Sequence, residues 1–395
     1  MALVAIIASS PLYAQVEDSI ILGGDTLVYR YVPMDRTAHT SKRGGVESDR
    51  SILDYLTFGD RDLNPGASFT IMGAPSYSVE RGWGLALAGD MRYRTARIAD
   101  HNTPSSLCLR LAASLTGFYA VELDGRNMLG GDRHVISYGA HACSEPTYTW
   151  GTKYASASGN LRGAYLSKRH EAYMSYGYRV TRQLMVGAHV DAIHLAATRL
   201  SDEASQLIGA ELLSLASVGV GVDLSLDTRQ AKDYTMRGLY IAGSYTLRPR
   251  VLASNISTLH ALRLTFDYYQ PLWRGATAAV DIYGEYHSAA TPWLLRGEMG
   301  GDSRMRGYYK GRYRGNRLLT AQLELRQHIW RGLGVAAWGG GGVALAPSER
   351  FAWRKVLPTY GAGLRWSLGG LSAIRLDVAF GRGCHAIILG VSEAF

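Results

Sequence analysis

Thr359 to Arg382 reads TYGAGLRWSLGGLSAIRLDVAFGR, and the period of this stretch decides the fold. Tyr360, Ala362, Leu364, Trp366 and Leu368 share one face of a two-residue repeat, and Gly361, Gly363, Arg365 and Ser367 share the other. In 372–380, Ile374, Leu376, Val378 and Phe380 oppose Arg375, Asp377 and Ala379. Strict alternation of this kind marks β-strands with one apolar side. The same pattern recurs outward along the chain. Leu319, Ala321, Leu323 and Leu325 oppose Thr320, Gln322, Glu324, Arg326 and His328, and Leu262, Leu264, Phe266 and Tyr268 oppose Arg263, Thr265 and Asp267. Sixteen such runs follow from 68 onward: 68–78, 83–95, 105–116, 117–127, 133–143, 167–178, 183–196, 216–228, 237–248, 259–270, 276–287, 318–329, 332–345, 359–368, 372–382 and 385–395. No long segment has a convincing helical period, with 202–215 the nearest.

A soluble sandwich also alternates. Three features favour a transmembrane barrel instead. The polar faces combine glycine, aspartate and arginine, as a crowded wet lumen would, where a solvated face would carry lysine and glutamate. Tyrosine and tryptophan gather toward run ends (Trp83, Tyr93, Tyr268, Tyr269, Trp273, Tyr360, Trp366), where interfacial girdles belong. The last run, HAIILGVSEAF, ends on Phe395, with Val391 and Leu389 as the further apolar residues of a C-terminal outer-membrane sorting signal. Each run is near the length a tilted spanning strand needs, and an even count suits a bacterial barrel. The expected fold is all-β: a 16-stranded antiparallel transmembrane β-barrel over 67–395.

Composition narrows the alternatives. The 395 residues include 46 glycines and 25 tyrosines, and 19% are charged. Beyond the first residues no stretch approaches the roughly 20 apolar residues of a spanning helix, which excludes a helical membrane bundle. The net charge of +9 comes from scattered or loop-bound arginines and lysines, so nucleic acid is not an expected partner. Cys108, Cys143 and Cys384 form neither a disulfide framework nor zinc spacing. The opening MALVAIIASSPLYAQ reads as a signal peptide over 1–14, cleaved after Ala14, although the usual basic start is missing and the true start codon then lies upstream. Residues 15–66 are polar and irregular, with Gly23-Gly24, Gly44-Gly45 and Asn64-Pro65-Gly66 as breakers, and are expected to be periplasmic.

The most informative connection is 288–317, between the eleventh and twelfth strands. Its core GGDSRMRGYYKGRYRGN (Gly300 to Asn316) holds Arg304, Arg306, Lys310, Arg312 and Arg314 against Asp302, with Arg296, Arg317 and Glu298 beside it. Such a loop could lie on an anionic lipopolysaccharide surface. It could also fold into the lumen, where Asp267, Asp281, Glu285, Glu324 and Asp377 all fall on polar faces. An arginine withdrawn from water needs such partners.

Met305-Arg306-Gly307-Tyr308 resembles the VRGF/Y signature that the BamA/TamA-like surface-antigen barrel superfamily carries on its sixth extracellular loop. Tyr308 to Arg314 and Gln322 to Arg326 resemble versions seen in Bacteroidota members. Arg375-Leu376-Asp377 adds to the resemblance, the ending Ser392 to Phe395 is similar to a GEAF terminus, and APSYSVERGWGLALAG resembles the family's opening hairpin. The resemblance spans roughly 68–395. It implies that Arg306 inserts into the lumen and pairs with Asp377, with Glu324 as second candidate. Gly307 would permit the turn by which the loop re-enters. Gly339 to Gly342 would give the loop room or simply bend the strand, and Asp302, Arg304 and Arg312 would support the loop, the first two internally. Two departures stand out. Residues 15–66 are too few for POTRA domains, and Glu393 occupies an outward position of the sorting signal where an apolar residue is preferred.

No GxSxG elbow, P-loop or HExxH occurs, and histidines such as His189, His194, His260, His287 and His328 are scattered over strands as lumen or rim residues. A non-enzyme without cofactor or metal is expected. The resemblance implies an outer-membrane factor that assists insertion or export of outer-membrane or surface proteins by lateral opening, with outer-membrane lipid, lipopolysaccharide and periplasmic or membrane proteins as partners. The alternative is a passive porin, or a structural barrel subunit of a larger outer-membrane complex.

Overall fold

The computed structural model describes residues 57–58, 67–78, 82–93, 105–230, 235–253, 256–330, 332–367, 373–391 and 393–395. Residues 1–14, where a signal peptide is expected, and nearly all of 15–66 lie outside the described residues.

Sixteen long strands form one antiparallel sheet, each paired with the next in sequence. They are β1 (Ala67–Ser78), β2 (Gly82–Tyr93), β3 (Ser105–Ser114), β4 (Tyr119–Leu129), β5 (His134–Thr149), β6 (Gly163–Arg179), β7 (Leu184–Thr198) and β8 (Ser214–Asp227). The second half comprises β9 (Gly238–Arg248), β10 (Leu259–Pro271), β11 (Ala276–His287), β12 (Arg317–Trp330), β13 (Leu333–Leu345), β14 (Leu357–Ser367), β15 (Ala373–Gly381) and β16 (Cys384–Val391). The described registers run from β1–β2 to β15–β16. Within the stretch expected to be irregular, Thr57–Phe58 pairs with Met72 and Ile71 of β1.

The sheet is inside-out relative to a soluble protein. In β12, Leu319, Leu323 and Leu325 are exposed, whereas Thr320, Gln322, Glu324 and Arg326 between them are buried. In β8, Val220, Val222 and Leu224 face outward in the same way. Leaving so continuous an apolar belt in water would forfeit roughly 1.5–3 kcal/mol for each large side chain. In a bilayer it is the favoured exterior, and the alternation is then that of a large membrane β-barrel. Trp83, Tyr268, Trp273, Tyr360 and Trp366 lie on the outside, as an aromatic girdle requires. Tyr269 does not: it is buried on the lumen side, one residue out of phase with Tyr268.

The longest connections, after β5, β7 and β11, all leave the same end of the barrel. The loop after β5 forms α1 (Tyr154–Ala157), and the loop after β7 forms α2 (Asp202–Ile208), where Ser201 caps the helix by accepting from the Ala204 amide. The 202–215 stretch is therefore helical only over its first half. Ser288 to Asn316, between β11 and β12, contains a small antiparallel pair, Gly297–Met299 with Tyr313–Gly315. This loop turns inward. Met299, Met305, Tyr308 and Tyr313 pack with Leu318, Leu357 and Trp150 into a buried apolar cluster. A second cluster joins Trp293 and Leu294 to Tyr165, Ile193, Leu195, Leu215 and Leu259. Both clusters seat side chains of this loop against residues of the strands and neighbouring loops.

Candidate functional site

The site is built where the inward loop meets β12 to β15. The chain reaches it through Met305, a non-glycine residue at φ +51°, and Gly307 at φ +100°. A Cβ on Gly307 would come within 3.1–3.3 Å of the backbone of Ala379 and Phe380 on β15, so only glycine lets the loop lie against that wall. Gly342 on β13 serves a similar purpose, since a Cβ there would sit 2.9 Å from the Met305 sulfur. Of the four glycines 339–342, this one clears the loop. Gly339 has open space at its Cβ position and contributes no clearance.

Arg306 is completely buried. Its Nη1 donates to Asp377 Oδ2 at 2.9 Å, and its Nη2 donates to Glu324 Oε2. Asp377 is on β15 and Glu324 on β12, three strands apart in the ladder, so one guanidinium ties together the strands between them. The Trp338 ring of β13 lies under the guanidinium at 3.6 Å, a stacked cation–π contact in a dry setting. Thr359 donates to the Arg306 carbonyl at 2.7 Å. Tyr308 packs beside the ion cluster. Its hydroxyl donates to the Pro358 carbonyl and accepts from the Arg382 amide, both at 2.7 Å. Arg306, Gly307, Tyr308, Met305, Glu324 and Asp377 therefore lie together at this site.

The supporting residues behave differently from expectation. Arg304 does not brace the loop internally. Its Nε donates to Asp281 on β11 at 2.9 Å, and its guanidinium lies 4.3 Å from the Tyr283 ring, so it is a second anchor to the barrel wall. Gln322 completes that contact by donating to Asp281 and to the Ser303 carbonyl. Asp302 is 75% exposed and approaches Arg375 at 3.6 Å, so it too faces the wall more than the loop. Arg312 donates to the carbonyls of Ala157 and Gly159, pinning this loop to the one that carries α1. Arg314 pairs with Glu298 across the small loop ladder.

Three arginines that the strand period does not single out surround the two acids. Arg326 donates to Glu324 at 2.8 Å, Arg365 donates to Asp377, and Arg375 lies 3.7 Å from Asp377. All three fall on polar faces of their strands, which was the available signal. It gave no indication that they meet.

The C-terminal residues are also corrected. β16 ends at Val391, and Leu389 is exposed on its outer face. Glu393 and Ala394 are buried, and the Phe395 ring is 6.4 Å from that of lumen-side Tyr269. Glu393 is thus inward, against the expectation of an outward position, because buried arginines draw its carboxylate in. Phe395 follows it and leaves the outer face.

Among the described residues, no group of three or more His, Cys, Asp or Glu side chains is placed to hold a metal ion. His189 is buried between Asp223 at 2.7 Å and Thr246 at 3.0 Å, a satisfied lumen network.

These features define a class: a large membrane β-barrel whose long loop after the eleventh strand is locked into the lumen by arginine. No family model matches the chain, and no curated protein matches its sequence. Solved structures do. The barrel is similar to BamA from Haemophilus ducreyi lacking POTRA domains 1–3, at 14% identity and a TM-score of 0.56, over 83% of this chain and 69% of that one. It is also similar to CdiB from Escherichia coli, at 12% identity and a TM-score of 0.55, over 85% of this chain and 64% of that one. The chain has the fold of these barrels.

Proposed function

We propose that this protein is a bacterial outer-membrane barrel that assists insertion or export of outer-membrane or surface proteins. One observation carries the reading: Arg306, on a loop folded into the lumen between β11 and β12, is fully buried against Glu324 and Asp377. In a wide diffusion pore this arrangement would narrow the path. Holding a loop in the lumen costs ordering entropy and the desolvation of several arginines. A barrel that must stay sealed yet rearrange has a use for it. In the proposed mechanism the seam between β1 and β16 opens, an incoming strand pairs with the exposed edge of β1 by β-augmentation, and the loop keeps the lumen shut meanwhile. The two-residue pairing of Thr57–Phe58 with β1 supports the idea that this edge accepts an added strand. Client capture would fall to periplasmic or membrane partner proteins, and the outer apolar belt would contact lipid and lipopolysaccharide.

Planar-bilayer recording tests the plug. The purified chain should give small, flickering currents. A steady, large, anion-biased conductance would instead identify a passive porin.

A further inference from the structure

The residues beyond Val391 reach back to the loop anchor. The Glu393 carboxylate accepts from Arg365 Nε at 2.8 Å and lies 3.5 Å from Arg326 Nε. Arg326 Nη2 donates to the Phe395 main-chain oxygen at 2.9 Å, and its guanidinium is 5.0 Å from the Phe395 ring. These two arginines also hold the loop's acids. Arg326 bonds Glu324, and Arg365 bonds Asp377 while standing 3.6 Å from Glu324. A continuous chain of charge therefore runs from Glu393 through Arg326 and Arg365 to Glu324 and Asp377, and on to Arg306.

Charge balance gives this chain a direction. Four guanidiniums, those of Arg306, Arg326, Arg365 and Arg375, are buried around Glu324, Asp377 and Glu393. With Glu393 withdrawn, the four would share two buried carboxylates. Arg326 and Arg365 would then turn fully to Glu324 and Asp377, the partners of Arg306, and compete with it. Like-charge crowding in a low-dielectric site makes that competition strong.

We propose that Glu393 is a positioning residue that couples the end of the last strand to the docked loop. Residues 393–395 inside the lumen and Arg306 seated on its acids form one state. Drawing the tail out loosens the loop, and unseating the loop loosens the tail by the same factor, because coupling free energies are reciprocal. β16 is the last strand, so a rearrangement at its end is transmitted to a loop that begins and ends on β11 and β12. This inference rests on the ion network alone and stands or falls independently of what the barrel transports.

The test uses the full chain refolded in liposomes, with trypsin cleavage inside 301–314 reporting loop release. Glu393→Gln should speed cleavage at least about fivefold, the lower end of ordinary coupling. Glu393→Asp should stay near wild type, and Glu393→Gln combined with Arg306→Ala should cleave no faster than Arg306→Ala alone. Asp191→Asn, which breaks the equally buried Arg248–Asp191 pair outside the network, should leave loop cleavage unchanged. The reciprocal reading uses Ala394→Cys in a chain whose three native cysteines are serines: Arg306→Ala should raise maleimide labelling of that cysteine. Unchanged cleavage in Glu393→Gln, multiplying effects in the double variant, an equal effect of Asp191→Asn, or unchanged labelling would each overturn the coupling. If Glu393→Gln does not refold, the labelling arm alone decides.

Discussion

Arg306→Ala is expected to yield a barrel that still inserts but loses its compact, fast-migrating form on unheated gels at a much lower temperature than wild type. Breaking a buried ion pair by removing one partner typically costs 3–5 kcal/mol, because the remaining charge stays buried. The lower part of that range applies here, since Arg326 and Arg365 remain beside Glu324 and Asp377. What disappears altogether is the loop's attachment: two carboxylate contacts and the stack on Trp338 belong to this one side chain. Arg306→Lys should recover little, because an ammonium neither spans two acids with planar N–H groups nor stacks on the indole. Gel mobility against temperature checks both variants, and unchanged mobility in Arg306→Ala would contradict the anchor.

The second large effect is expected at Gly307. Valine there meets two penalties at once. It must adopt φ near +100°, which a β-branched residue avoids, and its Cβ would press on the backbone of Ala379 and Phe380. Strain of this kind costs about 1–3 kcal/mol before any clash is counted. The clash is with strand backbone, which cannot yield without disturbing β15. Relief comes most easily by lifting the loop, which takes Arg306 off its acids. Gly307→Val should therefore reproduce the Arg306→Ala gel behaviour, whereas Gly339→Val, with open space at its Cβ position, should not.

These expectations show what the sequence carried. The two-residue period in stretches such as 319–328 and 359–368 was enough to count sixteen strands, and to place Asp281, Glu324 and Asp377 on the inner wall. It could not show which residues of different strands lie level with one another. Register comes from pairing geometry, so Trp338 under Arg306 and the meeting of Arg326, Arg365 and Arg375 stayed hidden although each residue's face was known. The partnership of Arg306 with Asp377 came from the likeness of Met305 to Tyr308 to a known loop signature, not from periodicity. Where alternation was extended past the sheet, it misled. SEAF continues the pattern of β16, but after Val391 the attraction of Glu393 to buried arginines prevails over the outward phase. Tyr269 was misplaced for a simpler reason: of two adjacent tyrosines at a strand end, only one can face the lipid. β5 and β6 run longer than the apolar alternation indicated, because their polar ends, such as Ser144 to Thr149, pair beyond the apolar belt.

Under the proposed function, the barrel with its locked loop handles other proteins. Quantitative outer-membrane proteomics after depletion of this protein tests it most directly. Several other barrels or surface proteins should fall together while their transcripts hold, and a plasmid carrying wild type, but not Arg306→Ala, should restore them. A protein profile that stays unchanged on depletion would contradict it.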